Sequence, residues 1–105
     1  MNRVERWIDD LRAALALAAA LAARGREAFD DDPAVPLAFE ALSNRVGELA
    51  KRLRTADPER FDAEIWRLAA RNRDFVVHHY DRIDRDVLWN TVTREFPALA
   101  GAIDG

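Results

Sequence analysis

The strongest constraint on the fold is a run of apolar residues, Val35, Phe39, Leu42, Val46, Leu49 and Leu53, that advance by alternating steps of four and three. Steps averaging about 3.5 put every member on one side of an α-helix, and so regular a stripe needs a matching surface to cover it. Val4, Ile8, Leu11, Leu15, Ala18 and Ala22 supply a second stripe, on a helix expected from about Asn2 to Arg24. Gly25 suits a helix stop. A loop containing Asp30, Asp31 and Asp32, followed by Pro33 and Pro36, offers acidic caps and an early-turn proline to the second helix. Two long antiparallel helices therefore make up the expected first half.

The Asp57-Pro58 pair breaks the chain, and a third helix begins between Pro58 and Glu64. Phe61, Ile65, Leu68, Asn72, Phe75 and His79 continue one heptad phase, so polar groups enter a face that starts apolar. Asp84 is placed as N-cap of a fourth helix carrying Val87, Leu88, Val92 and Phe96, with Pro97 permitting a bend or short final turn. The expectation is an all-α antiparallel four-helix up-down bundle with a short C-terminal helical turn, forming one domain over residues 1–105. Trp7, Trp66 and Trp89 are assigned to the core or to a seam between copies.

With no cysteine, thiolate nucleophiles, disulfides and Cys-based zinc sites are excluded, and neither metal nor cofactor is expected. The longest apolar run, Ala13 to Ala23, is too short to span a bilayer, and acidic residues precede it, unlike a signal peptide. A soluble, cytoplasmic protein without membrane contact is the reading. The net charge of −3 has the wrong sign for nonspecific coating of nucleic acid, so any RNA contact must come from a local patch. Residues 60 to 94 hold seven arginines against six acids, whereas the remainder is more acidic.

Chemistry concentrates in Arg71-Asn72-Arg73-Asp74-Phe75-Val76-Val77-His78-His79-Tyr80, which gathers both histidines and the only tyrosine. Arginine binds phosphate, histidine moves protons near neutral pH, and a phenol can be modified. Arg71, Asp74 and His78 follow helical steps of three and four, so Asp74 can accept a hydrogen bond from the His78 ring. Arg73 precedes His78 by five residues, about 140° around the axis, and a two-fold interface would bring the two together from different copies. The plain alternative is a core His79, a surface His78 and a solvated arginine face.

Arg73, four intervening residues and His78-His79-Tyr80 resemble the Arg-x4-6-His motif, in its His-x-Tyr form, of the HEPN superfamily. Gly47 to Leu53 ahead of it, and Ile83 to Val92 with Phe96-Pro97-Ala98-Leu99 behind it, are similar to the HepT-like branch. The resemblance implies a helical homodimer that cleaves RNA as the toxin of a toxin–antitoxin pair. Arg73 and His78 would be catalytic, with Asp74, Arg71 and Asn72 supporting. The implied antitoxin is a minimal nucleotidyltransferase that transfers AMP to Tyr80. Members often carry Asn directly after the motif arginine, whereas here Asn72 precedes Arg73 and Asp74 follows it. The added negative charge keeps a second reading open, a noncatalytic substrate- or nucleotide-binding subunit of a nucleotidyltransferase.

Overall fold

The computed structural model describes the backbone of residues 2–78 and 84–104, and side chains over 2–71 and 84–104. All regular structure among the described residues is helical.

Helix α1 (Arg3–Ala22) starts where the Asn2 side chain accepts a hydrogen bond from the Glu5 backbone N–H at 2.9 Å. This satisfies one of the donors that a first helical turn leaves without a partner. Ile8, Leu11, Leu15 and Ala18 of the expected stripe are buried, with Val4 and Ala22 packed at its ends. Gly25 sits at φ +91°, a left-handed conformation that costs a residue with a Cβ far more than it costs glycine. It does more than end α1. Beyond it the chain forms a short helix α2 (Gly25–Asp31) where the sequence suggested a loop, and Phe29 from α2 is completely buried.

Helix α3 (Ala34–Ala56) follows, and the Asp32 carboxylate accepts from the Ala34 N–H at 3.0 Å, the acidic cap expected from the aspartate run. Its apolar stripe faces inward as read: Val35, Phe39, Val46, Leu49 and Leu53 are buried and Leu42 partly so. Asp57 caps the far end, and its side chain accepts from the Arg60 N–H at 3.2 Å in the turn that leads to helix α4 (Glu64–His78).

The phase of α4 corrects the sequence reading. Phe61 belongs to the preceding turn, so it does not fix the helical phase, and Leu68 remains 39% exposed. Trp66 and Ala70, one turn apart, supply the buried face instead. The Trp66 ring meets Phe61 edge-on, centroids 4.8 Å apart at 74°.

Asp84 is the N-cap expected of it, accepting from the Asp86 N–H at 2.8 Å and the Val87 N–H at 3.3 Å at the start of α5 (Arg85–Asn90). Residues Thr91–Glu95 form a wide π-helical turn before α6 (Phe96–Asp104). Two features account for that turn. Pro97 has no N–H for the carbonyl four residues earlier, and the preceding Phe96 N–H instead donates to Thr91 O, five residues back. The buried side chains Leu88, Val92 and Phe96 are spaced by four, which drifts by about 40° per step on a regular α-helix, and the wider turn absorbs the drift. Val87, placed on the core face by the sequence, is 45% exposed.

Helix α3 packs against α1 and α4, and α6 packs against the same two. The buried residues form one contiguous cluster at their centre. Among the described residues no helix is long and apolar enough to cross a membrane.

Candidate functional site

Helix α4 carries the sequence motif, and its local sequence explains why it forms. No Gly or Pro occurs from Glu64 to His78. Glu64 lies in the first turn, where its charge suits the positive helix end, and it pairs with Arg67 at 2.6 Å. Burial of Trp66 and Ala70 seats the first half of α4 on α3. The helix continues unbroken through His78, so Arg71, Asn72, Arg73, Asp74 and His78 occupy successive helical register positions.

Of these, Arg71 is exposed immediately after the buried Ala70. The side chains of Asn72, Arg73, Asp74 and His78 lie outside the described residues, as do His79 and Tyr80 altogether. The expected hydrogen bond between Asp74 and His78, and the meeting of Arg73 with His78, fall there too.

Around Arg71 the structure assembles cations that the sequence reading did not connect. Lys51, Arg54 and Thr55 near the end of α3, together with Arg67, Ala70 and Arg71 of α4, line an open groove of about 490 Å³. Lys51 and Arg54 are half-buried, whereas Arg67 and Arg71 are exposed. Arg54 also sits in the last turn of α3, where the helix dipole favours a cation. The signal in the sequence was a three-step, Lys51 to Arg54, facing a four-step, Arg67 to Arg71. Each is ordinary on a surface helix, and only the packing of α3 on α4 places them opposite one another. Beside the groove, Arg52 reaches Glu48 at 3.6 Å.

Downstream of the motif, the start of α5 is held from a distance. Arg26 of α2 donates to Asp86 at 2.8 Å and to Asp30 at 3.0 Å. The Asp86 bond, then the Asp30 bond, raises the Arg26 guanidinium above its ordinary pKa. Its guanidinium carbon also lies 5.2 Å from the Phe29 ring centroid and 5.8 Å from that of Trp89. Trp89 in turn stacks on Phe39 at 6.0 Å, so α2, α3 and α5 share one aromatic cluster.

On an opposite flank of α4, an apolar groove of about 380 Å³ runs between α4 and α6. Ile65, Leu68 and Ala69 line it on one side and Phe96, Ala98 and Leu99 on the other. Among the described residues no cluster of three or more His, Asp or Glu is arranged to hold a metal ion.

A helical chain whose fourth helix carries Arg-x4-His has the motif spacing of a HEPN-type protein. The family described as ribonuclease HepT-like matches residues 11–104, nearly the whole chain, and the protein belongs to that family. A protein of Thermococcus cleftensis named "Probable ribonuclease HepT" is 40% identical over 60 residues, 56% of this chain and 54% of that protein. Another, from Caldanaerobacter subterraneus subsp. tengcongensis and named "Putative RNase TTE0752", is 30% identical over 73 residues, 70% of this chain and 65% of that protein. The matched regions thus span between about half and two thirds of these curated relatives. No solved structure matches the chain significantly.

Proposed function

We propose that this chain is a metal-independent endoribonuclease, acting as the toxin of a toxin–antitoxin pair. The observation that carries the reading is membership of the HepT-like ribonuclease family over residues 11–104, a span that contains Arg73 and His78 at the motif spacing.

In the proposed reaction a ribose 2′-oxygen attacks the adjacent phosphorus and the P–O5′ bond breaks, leaving a 2′,3′-cyclic phosphate and a 5′-hydroxyl. One His78 imidazole accepts the 2′-hydroxyl proton, and the imidazolium so formed, or that of the other copy, donates a proton to the departing 5′-oxygen. Arg73 stabilises the charge that builds on the phosphoryl oxygens. Asp74, Arg71 and Asn72 orient these groups. The acid–base and cationic roles are all supplied by side chains, so the sequence of bond changes needs no metal.

The active form is a homodimer, with Arg73 of one copy acting beside His78 of the other. Two observations support this. The pair are about 140° apart around one helix, and the same helix exposes Leu68 over an apolar groove that a second copy would cover. The four-helix up-down bundle takes α1, α3 and α4 as three of its members and the run from α5 to α6 as the fourth, a set whose helices pack on one another. Control is exerted in the cytoplasm by a cognate nucleotidyltransferase that transfers AMP to Tyr80, bringing phosphate charge and bulk to the place where RNA must enter.

Purified His78→Ala and Arg73→Ala proteins are the direct test. Positioned acid–base catalysis contributes about 10²–10⁴-fold, so each variant should lose most RNA cleavage while keeping the helical circular dichroism of the parent. Undiminished cleavage by both variants removes the assignment. Expression without the antitoxin should arrest growth, and harmless expression would favour the noncatalytic subunit reading, which the negative charge of Asp74 next to Arg73 motivates.

A further inference from the structure

We propose that the groove between α3 and α4, lined by Lys51, Arg54, Thr55, Arg67 and Arg71, binds the backbone phosphates of a single-stranded RNA and leads it to the motif. The proposal rests on the ribonuclease reading for its ligand, and goes beyond it in extending the binding surface from Arg71 at the edge of the motif back to Arg67, Lys51 and Arg54.

The first argument is charge. The chain carries a net −3, yet four of its cations line this one groove. Glu64, at the start of α4, neutralises part of Arg67. Half-burial of Lys51 and Arg54 sets two of the charges into the wall of the groove, where water screens them less than at an open surface.

The second argument is register. Arg67 and Arg71 stand one helical turn apart, about 6 Å, on the same side of α4. The same helix carries His78 about 10 Å further along its axis by the rise of 1.5 Å per residue. A strand lying along α4 would thus meet cations in series before it reached the motif. Phosphate contacts of this kind set the register and direction of a nucleic acid without reading its sequence. Among the described residues the lining offers cations and a hydroxyl and no aromatic ring, so this part of the groove should grip the backbone whatever the base order.

The third argument is width. Packed helices have axes about 8–10 Å apart, and a cleft between two of them suits one strand better than a duplex. An apolar or lipid ligand is disfavoured because the lining is chiefly cationic and polar.

Binding of a labelled 2′-O-methyl oligoribonucleotide, which lacks the hydroxyl needed for cleavage, is measured against salt concentration. The proteins compared are the full chain, Arg54→Gln/Arg67→Gln, and Arg6→Gln/Arg45→Gln. The last pair removes the same charge from α1 and the α1-facing side of α3, where Arg45 pairs with Asp10. For single strands the slope of log affinity against log salt is about 0.7 per phosphate contact, so the groove variant should lose about 1.4 from its slope. The control should keep it. An unchanged slope in the groove variant, an equal loss in the control, or no binding by the parent chain overturns the groove proposal. Groove-dependent binding by a chain that never cuts natural RNA upholds the groove and sinks the ribonuclease reading alone. Cleavage with an unaltered slope does the reverse.

Discussion

Arg26 Nη2 lies 2.8 Å from Asp86 Oδ1, and this contact joins α2 to the start of α5, the helix that follows the motif. The two residues are sixty positions apart, and Arg85 adds a longer approach of 4.0 Å to Asp30. Behind the ion pairs, Phe29 and Trp89 bring their rings to 5.4 Å, so an apolar contact and a charged one fix the same junction.

The apolar contact should dominate. Phe29 is completely buried, and Phe29→Ala should destabilise the protein by about 3–5 kcal/mol, read as a lower urea midpoint. Arg26→Ala should cost much less, because its pairs are solvent-exposed and salt screens them. The Arg26 pKa is raised on folding, so its contribution is complete below the ordinary guanidinium value and fades only as pH climbs through the raised one. Stability between pH 6 and 8 should therefore not respond to Arg26, whereas added salt should shrink the small difference between parent and Arg26→Ala. A larger loss from Arg26→Ala than from Phe29→Ala would reverse this ranking.

Two glycines should respond to alanine with opposite signs. Gly25 has open space around its Cα but a φ of +91°, so Gly25→Ala strains the backbone and should cost roughly 1 kcal/mol or more. Gly101 lies within α6 with no atom near an added Cβ, so Gly101→Ala should stabilise by roughly 0.5–1 kcal/mol. Thermal unfolding of the two variants beside the parent decides both.

Leu68 tests the proposed dimer. It is 39% exposed in the groove between α4 and α6, where a carboxylate can reach water in a monomer but would be trapped in a seam. Leu68→Glu should shift the mass in solution, measured by light scattering, from dimer to monomer with helical content unchanged. A variant that remains as dimeric as its parent at micromolar concentration places the interface elsewhere.

Tyr80 tests control by the antitoxin. Coexpression with a minimal nucleotidyltransferase should raise the intact mass by one AMP group, and Tyr80→Phe should abolish the increase. The modified protein should cleave RNA less than the unmodified one, and equal cleavage by both would refute inhibition through this residue.

Much of the architecture was legible along the chain because helical periodicity is a local property. The stripe from Val35 to Leu53 marked α3 and its buried face, and Asp84 was legible as an N-cap. Each follows from how side chains a few residues apart share a helix face or a free N–H. The phase of α4 was not legible. Phe61, Ile65 and Leu68 fit the same spacing as the Trp66 and Ala70 face, and only contact with α3 and α6 distinguishes them. The same is true of α2, whose aspartates read as a loop until Phe29 finds its place between Phe39 and Trp89.

By itself, then, the sequence determined that this protein is helical, where its long helices run, and that both histidines and the only tyrosine fall in the stretch from Arg71 to Tyr80. The tertiary structure decided which faces those helices bury. It also decided that Lys51 and Arg54 stand across a groove from Arg67 and Arg71. Periodicity propagates along one helix and carries no information about which neighbour it meets. Opposed charges and shared aromatic contacts depend on distances between helices, and those are set only when the core closes.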